Sequence, residues 1–325
     1  MSFKTTEVYA HHKIPLECTI YAGPDIADDA PVALFFHAGA LSGWVKERMP
    51  PWLVQACIGR KWPLITADYR LMPQATASDL LQDAMAAYEY AQRWNTTGEA
   101  RRRVIVFGAS AGFFLATTLA RHLEQPPIAL FSISGITTFQ HPFYSSSISI
   151  TDDHKTDADF EEFDAEPVQT CRITTETTGI FHIEMLLPDG SRNPDFKQPA
   201  LVVAEEHLDR RGGLMYEHYI RTNKYPGLVQ AIDDGFEWVG TDEQKRKLWP
   251  PTVIFHGNAD IAVPHDISVM MQQKLGKDKV DIFIAEGQDH LFESSLYLED
   301  TLPSMDPVRR ALARLDEVVA KCKSI

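Results

Sequence analysis

The chain has 325 residues, 44% of them hydrophobic, which is enough to bury one large α/β domain with an insertion or two ordinary domains. Its 31 basic and 45 acidic side chains give a formal net charge of −14, which argues against nucleic acid or an anionic membrane as a partner. No stretch approaches the roughly 18 unbroken apolar residues of a membrane helix, and residues 1–7 lack the pattern of a secretory signal. We therefore expect a cytoplasmic protein without membrane insertion.

The four cysteines are Cys18, Cys57, Cys171 and Cys322, and no two of them form a Cys-x-x-Cys pair. This wide spacing favours free thiols in a reducing compartment over disulfides or a zinc site. We expect no bound metal.

The first part of the chain predicts strands and helices in alternation. A hairpin is expected over residues 6–21, with its turn at residues 11–13. Near-continuous apolar runs, typical of strands covered on both faces of a sheet, occupy residues 31–36, 63–67, 104–107 and 128–133. Helical spacing of apolar residues places helices near residues 51–60, 78–94 and 114–123. This order is typical of a mostly parallel, doubly wound α/β sheet.

The alternation stops between residues 140 and 248 and then resumes. That stretch is irregular, with a serine run, an acidic segment at residues 152–166, and short helices predicted near residues 211–223 and 229–233. Strands at residues 251–255 and 280–285 and helices at residues 266–274 and 307–321 follow. We therefore assign residues 1–139 and 249–325 to an α/β core and residues 140–248 to a helical cap or lid inserted before the next core strand.

The sequence Gly-Ala-Ser-Ala-Gly at residues 108–112 lies where a predicted strand turns into a predicted helix. At such an elbow the hydroxyl of Ser110 would be exposed above the sheet, and the small flanking residues would leave room for the sharp turn. Serine is a weak nucleophile at neutral pH, so the motif requires a base and an orienting acid elsewhere in the chain.

Two further loops after strands supply candidates for that acid and base. Asp260 follows the strand at residues 251–255, and Asp266 is the better candidate for capping the next helix. His290 follows the strand at residues 280–285 and is preferred as the base over His256, which belongs to the same strand end as Asp260. The order Ser110, Asp260, His290 predicts a nucleophile, an acid that orients the imidazole, and a general base.

A third loop is a candidate oxyanion hole, the set of N–H donors that stabilises a tetrahedral intermediate. The strand at residues 31–36 ends in His-Ala-Gly-Ala, and these small residues let backbone N–H groups approach a ligand closely. We expect the donors to be the amides of Gly39, Ala40 and Ala111.

With these motifs in place, the chain resembles the α/β-hydrolase superfamily, and within it the esterases similar to hormone-sensitive lipase. The resemblance is carried by residues 37–40, 68–73, 108–112, 256–260 and 289–292, whose order and spacing match throughout. The segment at residues 68–73, Asp-Tyr-Arg-Leu-Met-Pro, looks like that family's structural segment and is assigned to the scaffold. The chain departs from the family at Ala38 and Ala40, where glycines are usual, at Ala109, where the serine motif often has Asp, and at Phe113 and Phe114 after that motif.

We expect a cofactor-free serine hydrolase that cleaves a carboxylic ester of a small to medium, moderately hydrophobic molecule. The substrate contacts are predicted to include His37, Phe113, Tyr216 and Leu291. Two alternatives stay open: a biosynthetic enzyme that uses the same three residues for thioester or lactone cleavage, condensation or cyclisation, and a non-catalytic receptor. A homodimer is also left open.

Overall fold

The core of the protein is a single mostly parallel sheet in the computed structural model, which describes residues 4–150, 157–170, 180–199 and 206–322. Its strands are β1 (Lys4–His12), β2 (Ile14–Tyr21), β3 (Val32–Phe36), β4 (Leu64–Ala67), β5 (Val104–Ala109), β6 (Ala129–Ile133), β7 (Thr252–Gly257) and β8 (Val280–Ala285). Their order across the sheet is β1-β2-β4-β3-β5-β6-β7-β8. Strands β3 to β8 run parallel, while the β1–β2 hairpin is antiparallel and joins the sheet through the antiparallel pair β2–β4. The predicted α/β sheet is confirmed.

Helices cover both faces of this sheet. In the described residues they are α1 (Pro51–Arg60), α2 (Ala77–Arg93), α3 (Ala111–His122), α4 (Glu161–Asp164), α5 (Glu206–Arg221), α6 (Tyr225–Val229), α7 (Glu243–Leu248), α8 (Asp266–Leu275) and α9 (Met305–Cys322). Local sequence explains several starts: Pro51 occupies the first turn of α1, and Thr76 caps α2 by accepting a hydrogen bond from the amide of Asp79.

Successive side chains of a strand point to opposite faces of the sheet and pack in two separate apolar cores. In β3, Leu34 and Phe36 join the core under α2, α3 and α8, whereas Ala33 and Phe35 join the core under α1 and α9. All five β3 residues are therefore buried, as the unbroken apolar run predicts.

Two details differ from the predictions. The helix expected at residues 229–233 is found as α6, Tyr225–Val229. Asp266 does not cap α8 but is its first residue, because Pro264 and His265 already form the preceding helical turn, with their carbonyls accepting hydrogen bonds from Ile267 and Ser268.

The segment predicted as a cap, residues 140–248, has described residues that pack on both faces of the sheet. On one face Tyr144, Tyr216 and Tyr225 pack together in the core that also contains α3. On the other face Phe181 packs edge-on against Tyr21, with ring centroids 5.5 Å apart. Whether this segment opens and closes as a lid stays a prediction.

In the part of the chain described here, no helix combines the length and apolar character needed to cross a bilayer. Cys18 and Cys57 are buried free thiols, Cys322 is a half-buried free thiol, and Cys171 lies outside the described residues.

Candidate active site

Ser110 occupies a sharp turn between the end of β5 and the start of α3. Its backbone, at φ 50° and ψ −123°, lies in a region that residues other than glycine rarely adopt. A Cβ on Gly108 would lie 2.4 Å from Cα of Phe113, and one on Gly112 would lie 2.1 Å from the carbonyl oxygen of Phe36. Glycine is therefore required on both sides of the serine, as the motif predicts.

The backbone of Ser110 is tied to the neighbouring strand. Its amide donates a 3.0 Å hydrogen bond to the carbonyl of Ile133, the last residue of β6. Its carbonyl accepts a 2.9 Å bond from the amide of Ile136. The strained turn is therefore held by the end of β6 and by the loop that follows it.

His290 connects Ser110 with Asp260. Nε2 of His290 lies 3.1 Å from Oγ of Ser110, and Nδ1 lies 2.7 Å from Oδ2 of Asp260. When Nδ1–H donates to the carboxylate, the lone pair of Nε2 can accept the hydroxyl proton of Ser110. The structure thus brings together the three residues predicted to work as a triad, each from the loop after a different strand.

Asp260 is held by four hydrogen bonds. Oδ1 accepts from the amides of Ala262 and Val263, at 2.9 and 2.7 Å, and Oδ2 accepts from His290 and, at 3.2 Å, from Nε2 of His256. Burial alone would raise the pKa of Asp260, but the hydrogen bonds from His256, His290 and the amide of Val263 outweigh it and lower the pKa to about 2. The carboxylate is therefore ionised at neutral pH.

His256, the competing candidate for the base, contacts the acid and not the serine. Its Nδ1 lies 2.9 Å from Oγ of Ser268, and its Nε2 also lies 2.8 Å from the carbonyl of Val263. The side chain is fully buried. His256 therefore positions Asp260, a role that the sequence analysis missed although the two residues are only four positions apart.

The loop after β3 makes a tight turn near Ser110. The carbonyl of Gly39 accepts hydrogen bonds from the amides of Ser42 and Gly43, and a Cβ on Gly39 would lie 2.1 Å from the carbonyl oxygen of Gly43. Ala40 and Leu41 both have left-handed backbones, with φ near 61° and 62°. Among the described residues, no hydrogen bond has the amide of Gly39, Ala40 or Ala111 as its donor. That these three amides form an oxyanion hole stays a prediction.

Two tyrosines fix this loop from inside the protein. The ring of Tyr69 stacks on His37 with centroids 4.3 Å apart, and its hydroxyl donates to the carbonyl of His37. The hydroxyl of Tyr225, from the insertion, donates a 2.9 Å hydrogen bond to the carbonyl of Ala40. Tyr69 lies in the segment at residues 68–73 that was assigned to the scaffold, so that segment supports the candidate oxyanion loop directly.

A cavity of about 170 Å³ lies beside His290. Most of its wall is apolar and consists of Ala38, Trp44, Met49, Pro50, Ala109, Ile133 and Leu291. Its polar residues are Arg48, His290, Glu293 and Ser294. Within the described ranges, no residue of the insertion lines it, so the wall comes from the core and its loops.

Of the four predicted substrate contacts, Leu291 lies at the cavity wall and the other three do not. His37 is fully buried, and burial lowers its pKa to about 3, so the imidazole is neutral. Phe113 is fully buried in the core, and the hydroxyl of Tyr216 donates a 2.6 Å hydrogen bond to the carbonyl of Ala262. The sequence did not predict that Glu293 lies in the wall of this cavity.

Residues 33–226, which include Ser110 and the loop after β3, match the family described as alpha/beta hydrolase fold. The chain belongs to this family. The family expected from the motifs is thereby confirmed.

Two relatives match shorter parts of the chain. Lipase 2 of Moraxella sp. (strain TA144) is 30% identical over 103 residues, which are 31% of this chain and 24% of the lipase. Esterase LipI of Mycobacterium tuberculosis (strain ATCC 25618 / H37Rv) is 31% identical over 120 residues, which are 35% of this chain and 38% of the esterase. The matched parts thus span well under two thirds of either relative.

Solved structures of the same fold match over nearly the whole chain. An alpha/beta hydrolase superfamily protein from Enterococcus faecalis has a TM-score of 0.62 at 16% identity, covering 97% of each chain. The esterase Est2 from Thermogutta terrifontis, with butyrate bound, has a TM-score of 0.52 at 17% identity, covering 98% of this chain and 94% of the esterase. At these identities the likeness concerns the fold.

Proposed function

We propose that this α/β hydrolase cleaves carboxylic esters through an acyl-enzyme on Ser110. The observation that carries the proposal is the position of His290, whose imidazole lies within hydrogen-bonding distance of both Ser110 and Asp260. This arrangement of nucleophile, base and acid is the one that acyl transfer by serine requires. The lipase and esterase among the relatives support the same class of reaction.

In the first half of the reaction, Oγ of Ser110 attacks the ester carbonyl carbon while Nε2 of His290 takes the hydroxyl proton. The charge that develops on the carbonyl oxygen is stabilised by the amides of Gly39, Ala40 and Ala111. When the C–O bond to the alcohol breaks, His290 returns the proton to the leaving oxygen. Asp260 holds the imidazole in the required tautomer and stabilises its cationic form.

In the second half, His290 activates a water molecule that attacks the acyl carbon of the enzyme ester. The same amides stabilise the second oxyanion, and collapse of this intermediate releases the carboxylic acid. The proton returns to Ser110, and the enzyme is regenerated without a cofactor.

We further propose a small-molecule ester with at least one short, mainly apolar part. An apolar cavity of roughly 150 Å³ accepts benzene, so a cavity of about 170 Å³ suits a group of similar size. The butyrate bound to Est2 of Thermogutta terrifontis supports a short acyl chain.

The test is hydrolysis of p-nitrophenyl butyrate by the wild type and by Ser110→Ala, together with covalent labelling by a fluorophosphonate. We expect turnover and labelling in the wild type and neither in the variant. Equal labelling of both proteins would exclude Ser110 as the nucleophile. Labelling of Ser110 without turnover of any short ester would assign the nucleophile to another acyl-transfer reaction.

A further inference from the structure

Glu293 is a buried acid that the proposed reaction does not use. Its side chain is fully buried and forms part of the wall of the cavity beside His290. Among the described residues, no other residue forms a hydrogen bond with either oxygen of its carboxyl group. Leaving a buried polar group unpaired costs about 1–3 kcal/mol, so such a group in a native fold needs an explanation.

The surroundings of Glu293 keep its carboxyl group protonated at neutral pH. Burial raises the pKa of the group to about 8, although a hydrogen bond from the residue's own backbone amide lowers it in part; the negative charge of Asp260 acts in the same direction as burial. The other charged or titratable groups at this cavity are Arg48 and His290. A neutral carboxyl group can donate one hydrogen bond as well as accept others, whereas a carboxylate can only accept.

The remainder of the cavity wall is suited to carbon atoms. Trp44, Met49 and Ile133 present apolar surface, and the methyl group of Ala38 narrows one side. A group bound here therefore meets apolar side chains over most of its surface. Glu293 belongs to the same wall, but its two carboxyl oxygens are themselves buried, so a hydrogen bond to a bound group requires the Glu293 side chain to turn towards the cavity. Such a site can distinguish a purely apolar ligand from a ligand of the same size that carries an oxygen atom within reach of Glu293.

We propose that Glu293 is a specificity-determining residue that donates a hydrogen bond to an oxygen atom on the part of the substrate that occupies this cavity. The preferred substrates are then esters with a short side group bearing a carbonyl, ether or hydroxyl oxygen, in preference to plain alkyl esters. This inference rests on the proposed ester hydrolysis by Ser110.

The test compares esters of the same shape that differ in one oxygen atom. For the acyl side, p-nitrophenyl 4-oxopentanoate and 5-oxohexanoate are paired with the 4-methylpentanoate and 5-methylhexanoate, in which a methyl group replaces the ketone oxygen. For the alcohol side, 4-oxopentyl and 5-oxohexyl butyrate are paired with the 4-methylpentyl and 5-methylhexyl esters. We expect the wild type to show a kcat/KM about tenfold higher for the keto ester in at least one pair.

Two variants of Glu293 separate an effect on substrate recognition from an effect on the folding of the protein. Glu293→Gln keeps the shape and a donor group, so it should retain most of the preference for the keto ester. Glu293→Leu removes the donor, so the two esters of each pair should react at rates within about twofold of each other. Thermal unfolding and the rate of fluorophosphonate labelling confirm that each variant is folded and that its Ser110 is reactive.

The outcomes distinguish this inference from the function on which it rests. A wild type that is labelled and hydrolyses the alkyl esters, but shows no Glu293-dependent preference in any pair, overturns the inference alone. A wild type that is neither labelled nor active on any ester overturns the proposed function, and the role of Glu293 in recognition with it.

Discussion

Two neighbouring regions at the carboxyl edge of the sheet satisfy their polar groups in opposite ways. In the catalytic loops, Asp260 accepts four hydrogen bonds and the backbone of Ser110 is bonded to β6. At the cavity wall, the carboxyl group of Glu293 has no partner in the described part of the chain. Groups that must keep one position during the proposed reaction are thus held by the fold, whereas the group proposed to recognise the substrate has no hydrogen bond to any other described residue.

The largest expected effect on activity comes from replacing Asp260, the acid of the candidate triad. In Asp260→Asn the amide loses the charge that stabilises the imidazolium and can present N–H to Nδ1 of His290, which favours the wrong tautomer. We expect kcat on p-nitrophenyl butyrate to fall by about 10⁴-fold with the protein still folded.

The matched control is Asp266→Asn, since the side chain of Asp266 is 62% exposed and lies outside the catalytic loops. Its kcat should equal that of the wild type. If Asp260→Asn kept more than a tenth of wild-type activity, Asp260 would not be the orienting acid.

The next effect concerns stability and tests how closely the turn around Ser110 is packed. In Gly112→Ala the new methyl group meets the carbonyl oxygen of Phe36 in β3, which belongs to the sheet and cannot give way easily. We expect the free energy of unfolding in urea to fall by about 3 kcal/mol or more.

Gly59→Ala in α1 provides the comparison, because nothing lies within 4 Å of the added Cβ. There the substitution should stabilise the protein by up to about 1 kcal/mol. Equal destabilisation by the two substitutions would contradict the idea that the turn around Ser110 is the constrained one.

A smaller, pH-dependent effect is expected at Glu293. The ordinary pKa of 4.5 applies in the unfolded chain, and the folded value is about 8, so between these values the folded state binds more protons. Wild-type stability attributable to this group is therefore present at low pH and lost as the pH rises towards 8.

Glu293→Gln does not titrate, and Arg48, His290 and Asp260 are present in both proteins. The melting temperature of the variant, measured relative to the wild type, should therefore rise by several degrees between pH 5 and pH 8 and then level off. A difference that stays constant over this range would show that Glu293 is not a buried neutral acid.

The smallest effect, on the relative kcat/KM of two esters, is expected from widening the cavity at Ala38. Ala38→Gly removes a methyl group from the cavity wall, so esters with a branched group should gain relative to linear ones, by about tenfold or less in kcat/KM. Initial rates with p-nitrophenyl 3-methylbutyrate and butyrate measure this ratio. An unchanged ratio would mean that the acyl group does not contact Ala38.

The loops that carry the candidate triad could be predicted from sequence because their positions follow from the strands. Apolar runs identify β5, β7 and β8, and Ser110, Asp260 and His290 each come directly after one of them, at the edge where parallel strands end together. No local pattern identifies Glu293 as part of a cavity wall, because other residues of that wall, such as Trp44 and Met49, come from a distant loop. The predicted cap at Asp266 was wrong for a local reason, since the turn at Pro264 and His265 begins before it.

Ile133 belongs to both regions. Ile133 lines the cavity, while its carbonyl oxygen accepts the hydrogen bond from the amide of Ser110. We therefore expect a group too large for the cavity to press on the residue that holds Ser110 in its strained turn. In the proposed reaction, poor fit would disturb the alignment of Oγ with the ester carbonyl and would lower kcat as well as affinity.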